Sequence, residues 1–94
     1  MFDIRLGDRG EVVLSGRFDA AQVEKAKSVL DTLGTTTEVD FKNLQYISSA
    51  GLGVLMATQK RLKDAGHELK LRNVSGHIRD VFTIARFDLI FDIK

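Results

Sequence analysis

Residues Phe2 to Leu6 alternate between apolar and charged, which predicts a strand, and Gly7-Asp8-Arg9-Gly10 follows as a turn. Glu11 to Phe18 then resumes a β-rich run, so the two runs predict a hairpin. The loop between them is too long for a two-residue connection, which leaves the pairing register open. Asp19 is a suitable N-cap, with Gln22 at the capping-box spacing. Behind it Val23, Ala26, Leu30 and Leu33 form one apolar stripe of a helix that Gly34 should close in the C′ position. Thr35-Thr36-Thr37 reads as an extended connector. Val39 and Phe41 alternate with Glu38 and Asp40 on the next strand, and a β-compatible run continues to Ile47.

From Ser48-Ser49 a second helix should run to about Ala65. Leu52, Leu55, Met56 and Leu62 share one face of it, and Gly53, Ala57 and Arg61 the other. Gly66 is its stop, and Lys60, Arg61 and Lys63 suit the negative end of its dipole. Glu68 to Arg72 alternates as a strand. Ser75 can cap a third helix carrying Ile78, Val81, Phe82 and Ala85 on one face, and Leu89 to Ile93 reads as a final strand. The order β-β-α-β-α-β-α-β predicts an α/β fold. Its sheet should be mixed and mostly parallel, with right-handed crossover helices and one antiparallel strand from the hairpin.

Length changes this picture little: 94 residues make one domain, 1–94, with room for one modest core. Basic and acidic residues nearly cancel to a net charge of +1, which argues against a nucleic-acid or anionic-membrane partner. The absence of cysteine removes disulfides, thiolate metal sites and cysteine nucleophiles together. With no signal-peptide pattern and no apolar run near the roughly 20 residues of a membrane span, a cytoplasmic domain is expected.

Chemistry within the chain finds little support. Gly51-Leu52-Gly53 lacks the length and the Lys-Ser/Thr ending of a P-loop, and Met56 stands where a dinucleotide fingerprint needs a small residue. Neither His67 nor His77 has a partner at metal-ligand spacing. The aspartates are scattered, and no Gly-x-Ser-x-Gly elbow marks a nucleophile, so no enzyme, metal or cofactor is expected. The serine pair is different. One hydroxyl at a helix entrance serves as a cap, worth about 1 kcal/mol. A second one asks for another explanation, and the small residues Ala50, Gly51 and Gly53 would let another protein approach it closely. A phosphoryl group there would add roughly −1.5 to −2 charge, which the helix N-terminus tolerates but a packed interface does not.

Val39-Asp40-Phe41 followed by Tyr46-Ile47-Ser48-Ser49-Ala50-Gly51-Leu52-Gly53 resembles the signature of the STAS domain, in particular the bacterial anti-sigma factor antagonists. Gly16-Arg17-Phe18-Asp19 is similar to the family's turn before its first helix. The resemblance spans essentially the whole chain. Carried over by position, it implies that Ser49, two residues before the Gly of Gly-Leu, is the phosphorylated serine. It further implies that the dephosphorylated form binds an anti-sigma factor serine kinase and frees a sigma factor. Phosphorylation weakens that binding, and a metal-dependent PP2C-type phosphatase resets it. ATP and metal would then belong to the partners. Asp19, Ser48, Ala50, Gly51, Leu52 and Gly53 are the expected partner-binding residues around Ser49. Ser48 stands where many switching members carry Asp, and Ala50 removes a competing hydroxyl. Two other readings remain. One is a non-switching STAS subunit of a larger assembly, such as a lipid-transport ABC complex or a stressosome-like scaffold. The other is a small enzyme or nucleotide binder using the Ser49–Gly53 turn.

Overall fold

The computed structural model describes residues 1–94. Its strands are β1 (Phe2–Leu6), β2 (Val12–Phe18), β3 (Thr37–Ile47), β4 (Leu69–Arg72) and β5 (Asp92–Ile93). The helices are α1 (Val23–Leu30), α2 (Ser49–Asp64) and α3 (Gly76–Ile84), with a short 3₁₀ turn at Ala20–Gln22. The strands pair in chain order across one sheet. Only the β1–β2 hairpin is antiparallel; β2–β3, β3–β4 and β4–β5 are parallel. This is the expected mixed α/β fold, and the register left open by the hairpin loop is Phe2 opposite Gly16 through Leu6 opposite Val12.

Each crossover advances the sheet by one strand in the same direction, so right-handed connections put all three helices on one face. The buried positions agree. Phe2 and Ile4, Val12 and Leu14, Val39 and Phe41, and Leu69 and Leu71 point to the helices and join one core cluster. The residues between them, Asp3, Arg5, Val13, Glu38, Asp40, Lys70 and Arg72, line the opposite face, which no helix covers. There Arg72 lies 3.4 Å from both Glu38 and Asp92, and the Arg17 guanidinium sits 4.3 Å above the centre of the Tyr46 ring. Exposed pairs of this kind contribute little each, typically below about 1 kcal/mol.

Two expectations need correction. The first helix ends at Leu30, four residues before Gly34: tight bonds from Thr32 N–H to Val29 C=O and from Leu33 N–H to Leu30 C=O wind up the chain earlier. Gly34 is therefore not its C′ residue. By contrast Gly66, at φ +83°, does close α2. The last strand is two residues, Asp92–Ile93, and not Leu89–Ile93, because Phe87–Ile90 folds into a turn held by Ile90 N–H on Phe87 C=O. Phe91 then dives into the core, edge-on to Phe82 at 5.6 Å. The β-run expected up to Ile47 is one long strand, β3, whose alternation breaks between Phe41 and Leu44, both of which face inward. The β2–β3 register shifts accompany this break, and Gly16 sits beside one of them at φ +81°. A Cβ on Gly16 would overlap the Met1 carbonyl, so only glycine fits.

Candidate docking and modification site

The site forms where β2 and β3 end together. Phe18 pairs with Ile47, and the Ser48 N–H donates to the Phe18 carbonyl at 2.9 Å, which extends the ladder by one residue. Asp19 and the serine pair thus emerge side by side at the C-terminal edge of the parallel strands, where α/β sheets characteristically present binding residues. Asp19 is extended, and its Oδ1 accepts the Ala21 N–H at 3.1 Å to cap the 3₁₀ turn that leads into α1.

Ser48 is also extended and is the N-cap of α2: its Oγ accepts the Gly51 N–H at 3.2 Å. Its carbonyl takes the Leu52 N–H at 2.9 Å. Ser49 is the first helical residue and is exposed, with its hydroxyl outside the cap. No acidic side chain lies in the first turn, so none on this 16-residue helix itself offsets its positive end.

The small residues beyond the pair divide into two sets. Gly51 is buried, and a Cβ there would come within 2.9 Å of Ile47 Cγ1 and 3.1 Å of the Phe18 ring. Its lack of a side chain lets the helix entrance sit directly on β2 and β3. Leu52 is buried in the core beside it. Both support the surface from beneath, whereas Ala50 is half-buried and Gly53 exposed. From Ala50 a groove of about 520 Å³ runs down between α2 and α1, past Gly53 and Ala57 on one wall and Val23 and Lys27 on the other.

Side chains with no sequence signal of their own hold α2 in this position. Arg61 donates from Nη1 to the Leu33 carbonyl at 2.7 Å and from Nη2 to the Leu30 carbonyl at 2.9 Å. It satisfies the end of α1 rather than the end of its own helix, which the pattern of Lys60, Arg61 and Lys63 had suggested. Gln59 is 1% exposed; its Nε2 donates to the Ile90 carbonyl at 2.8 Å and its Oε1 accepts the Leu69 N–H at 2.7 Å. It ties the helix to the start of β4 and to the C-terminal turn. Met56, placed with the buried face by periodicity, is only half-buried, while Thr58 and Gln59 are inside.

The family model described as "Mlab, STAS domain" matches residues 4–92. The chain belongs to the STAS family. BtrV of Bordetella bronchiseptica, assigned as an anti-sigma factor antagonist, is 38% identical over 74 residues, 79% of this STAS chain and 58% of BtrV. The chain therefore spans little more than half of that relative. The anti-sigma-B factor antagonist of Bacillus subtilis is 35% identical over 87 residues, covering 89% of this chain and 80% of its own. Among solved structures, the anti-sigma factor antagonist SpoIIAA in its unphosphorylated form superimposes with a TM-score of 0.69 at 25% identity, over 89% of this chain and 83% of that one. SpoIIAA of Bacillus in the phosphorylated form gives a TM-score of 0.70 at 23% identity, over 97% and 88%, and speaks to the fold. No helix of this STAS domain is long and apolar enough to cross a membrane.

Proposed function

We propose that this STAS domain is an anti-sigma factor antagonist switched by phosphorylation of Ser49. The observation that carries the reading is the division of labour between the serines: Ser48 Oγ is committed to the cap, while Ser49 is exposed with its hydroxyl free at the helix entrance. The relatives named anti-sigma factor antagonists support the general role. In the unmodified form Asp19, Ser48, Ala50 and Gly53 offer a low surface, with the Asp19 carboxylate as its one charge, to an anti-sigma factor serine kinase, with Gly51 and Leu52 as its foundation. That complex frees the sigma factor. A phosphoryl group on Ser49 is compatible with a helix N-terminus whose first turn carries no acidic side chain, so the domain itself stays folded. At the contact, however, the same charge must be desolvated against the partner, and binding weakens. A PP2C-type phosphatase restores the free hydroxyl. Catalysis, ATP and metal all belong to the partners.

The test uses isothermal titration of the cognate kinase with three forms of the chain. Ser49→Asp is expected to weaken binding by about tenfold to a hundredfold, or about 1.4–2.8 kcal/mol. Ser49→Ala should bind like the wild type and take no label from ATP. Equal binding by both variants would dismiss the switch.

A second reading is a non-switching STAS subunit held permanently in a larger assembly. Under that reading the chain co-purifies in stoichiometric amount with an ATPase or scaffold, and intact-mass spectrometry of the complex finds no phosphate at any stage.

A further inference from the structure

The turn after α3 lies across α2 and leaves a groove of about 480 Å³ between Phe87–Ile90 and the helix. Met56, Ala57, Phe87 and Ile90 supply its apolar lining. Leu89, in the same turn, projects into solvent at 87% exposure, an apolar protrusion beside an apolar hollow. Around them stand four exposed charges of both signs. Lys60, Lys63 and Asp64 line the groove, and Asp88 precedes Leu89 in the chain. None of the four takes part in an ion pair within the molecule.

The mixture of signs selects the occupant. An acidic peptide or an anionic headgroup would gain Lys60 and Lys63 but meet Asp64 and Asp88; a basic partner would meet the reverse. A surface that carries a knob, a hollow and both signs at once is matched by its own image. In a two-fold arrangement each patch faces an identical one, so the protrusion of one copy reaches the hollow of the other and each acidic pair can meet a basic pair. We infer that this face of the STAS domain is a self-association surface, on which a second copy of the chain seats Leu89 in the groove between α2 and Phe87–Ile90. The patch is confined to one helix flank and one turn, which places the contact in the small, transient class below about 1,200 Å² of total buried area. Association should accordingly be concentration-dependent and not obligate.

Sedimentation equilibrium of the full chain from about 10 μM to about 1 mM, with circular dichroism to verify folding, tests this directly. The wild type is expected to shift from monomer to dimer over that range. Leu89→Asp alters a solvent-exposed turn residue and should weaken the dimer about tenfold or more. Leu6→Asp, an exposed apolar residue on the strand at the opposite edge of the sheet, should leave it unchanged. The charge pattern has its own arm. Lys60→Glu with Lys63→Glu makes the rim uniformly acidic and should abolish association. Adding Asp64→Lys and Asp88→Lys to the same chain inverts the whole rim, restores its self-complementarity and should bring the dimer back. A chain that stays monomeric to the highest concentration overturns the inference. So does a Leu89→Asp variant that associates like the wild type, or a fourfold variant that fails to recover.

Discussion

Ser48 and Ser49 differ because the backbone changes conformation between them. Ser48, at φ −89° and ψ 171°, is still strand-like, which swings its Oγ back over the first turn to the Gly51 N–H. Ser49 is already helical, so its side chain points away from that turn's free donors. Removing the cap should therefore separate stability from modification. Ser48→Ala is expected to cost about 1 kcal/mol in denaturant unfolding. It should leave phosphate incorporation at Ser49 in place, measured by intact mass after incubation with kinase and ATP. A loss of labelling as large as that of Ser49→Ala would mean that the two hydroxyls had been assigned the wrong way round. The pair was legible in the sequence as a cap next to a spare hydroxyl; which residue filled which role by geometry needed the dihedral angles. Leu52 was legible as part of the apolar face of α2, and Gly51 only as part of a small-residue segment. Nothing in their spacing says that Phe18 and Ile47, from two strands distant in sequence, close over Gly51 from below.

At the level of elements, periodicity located every helix and every long strand, because each buries one face against a single core. It failed where the chain departs from a regular period. The irregularity in β3 puts Phe41 and Leu44 on the same side three residues apart, a break that the β-compatible run to Ile47 did not reveal. The C-terminal run reads as a strand because Leu89, Ile90, Phe91 and Ile93 are all apolar, yet Leu89 is exposed and only Asp92–Ile93 finds a partner in β4. Gln59 was invisible for another reason. A polar residue on the inward face of an amphipathic helix looks like an exception to the pattern until its two backbone partners are known. Gln59→Leu retains the volume but strands the Leu69 N–H and the Ile90 C=O. Stability should fall by about 1–3 kcal/mol. Amide exchange should rise first at Leu69 and through residues 87–93, ahead of the β1–β2 hairpin. Uniform exchange across the chain would show that this glutamine is not what ties the C-terminal turn down.

For the molecule as a whole, the one-sided placement of the helices leaves a charged sheet face and two unequal edges. The β1 edge is partly shielded by Lys25, whose ammonium donates to the Phe2 carbonyl at 2.9 Å. The hairpin loop at this end of the sheet has its own titratable group. The Glu11 carboxylate accepts its own N–H and that of Arg9, which holds its pKa below the ordinary glutamate value, with the nearby Arg9 guanidinium adding to the effect. A lowered folded-state pKa means that this contribution is fully present above the ordinary value and fades as pH falls through the lowered one. In a carbon-detected NMR titration the Glu11 carboxyl should therefore turn over at lower pH in the folded chain than in the denatured one; coincident midpoints would remove the loop bonds from the account. The way α2 is fastened bears on the whole molecule too. Its entrance rests on Phe18 and Ile47, Gln59 grips β4 and the C-terminal turn, and Arg61 holds the end of α1. A helix fastened at its entrance and again around Gln59 and Arg61, which lie on one turn, resists sliding or pivoting when a group is added at its tip. Whatever is written on Ser49 must then be read where it is written. A phosphoryl group there, as proposed, would act as an address and not as a lever, its charge felt by whoever touches that corner.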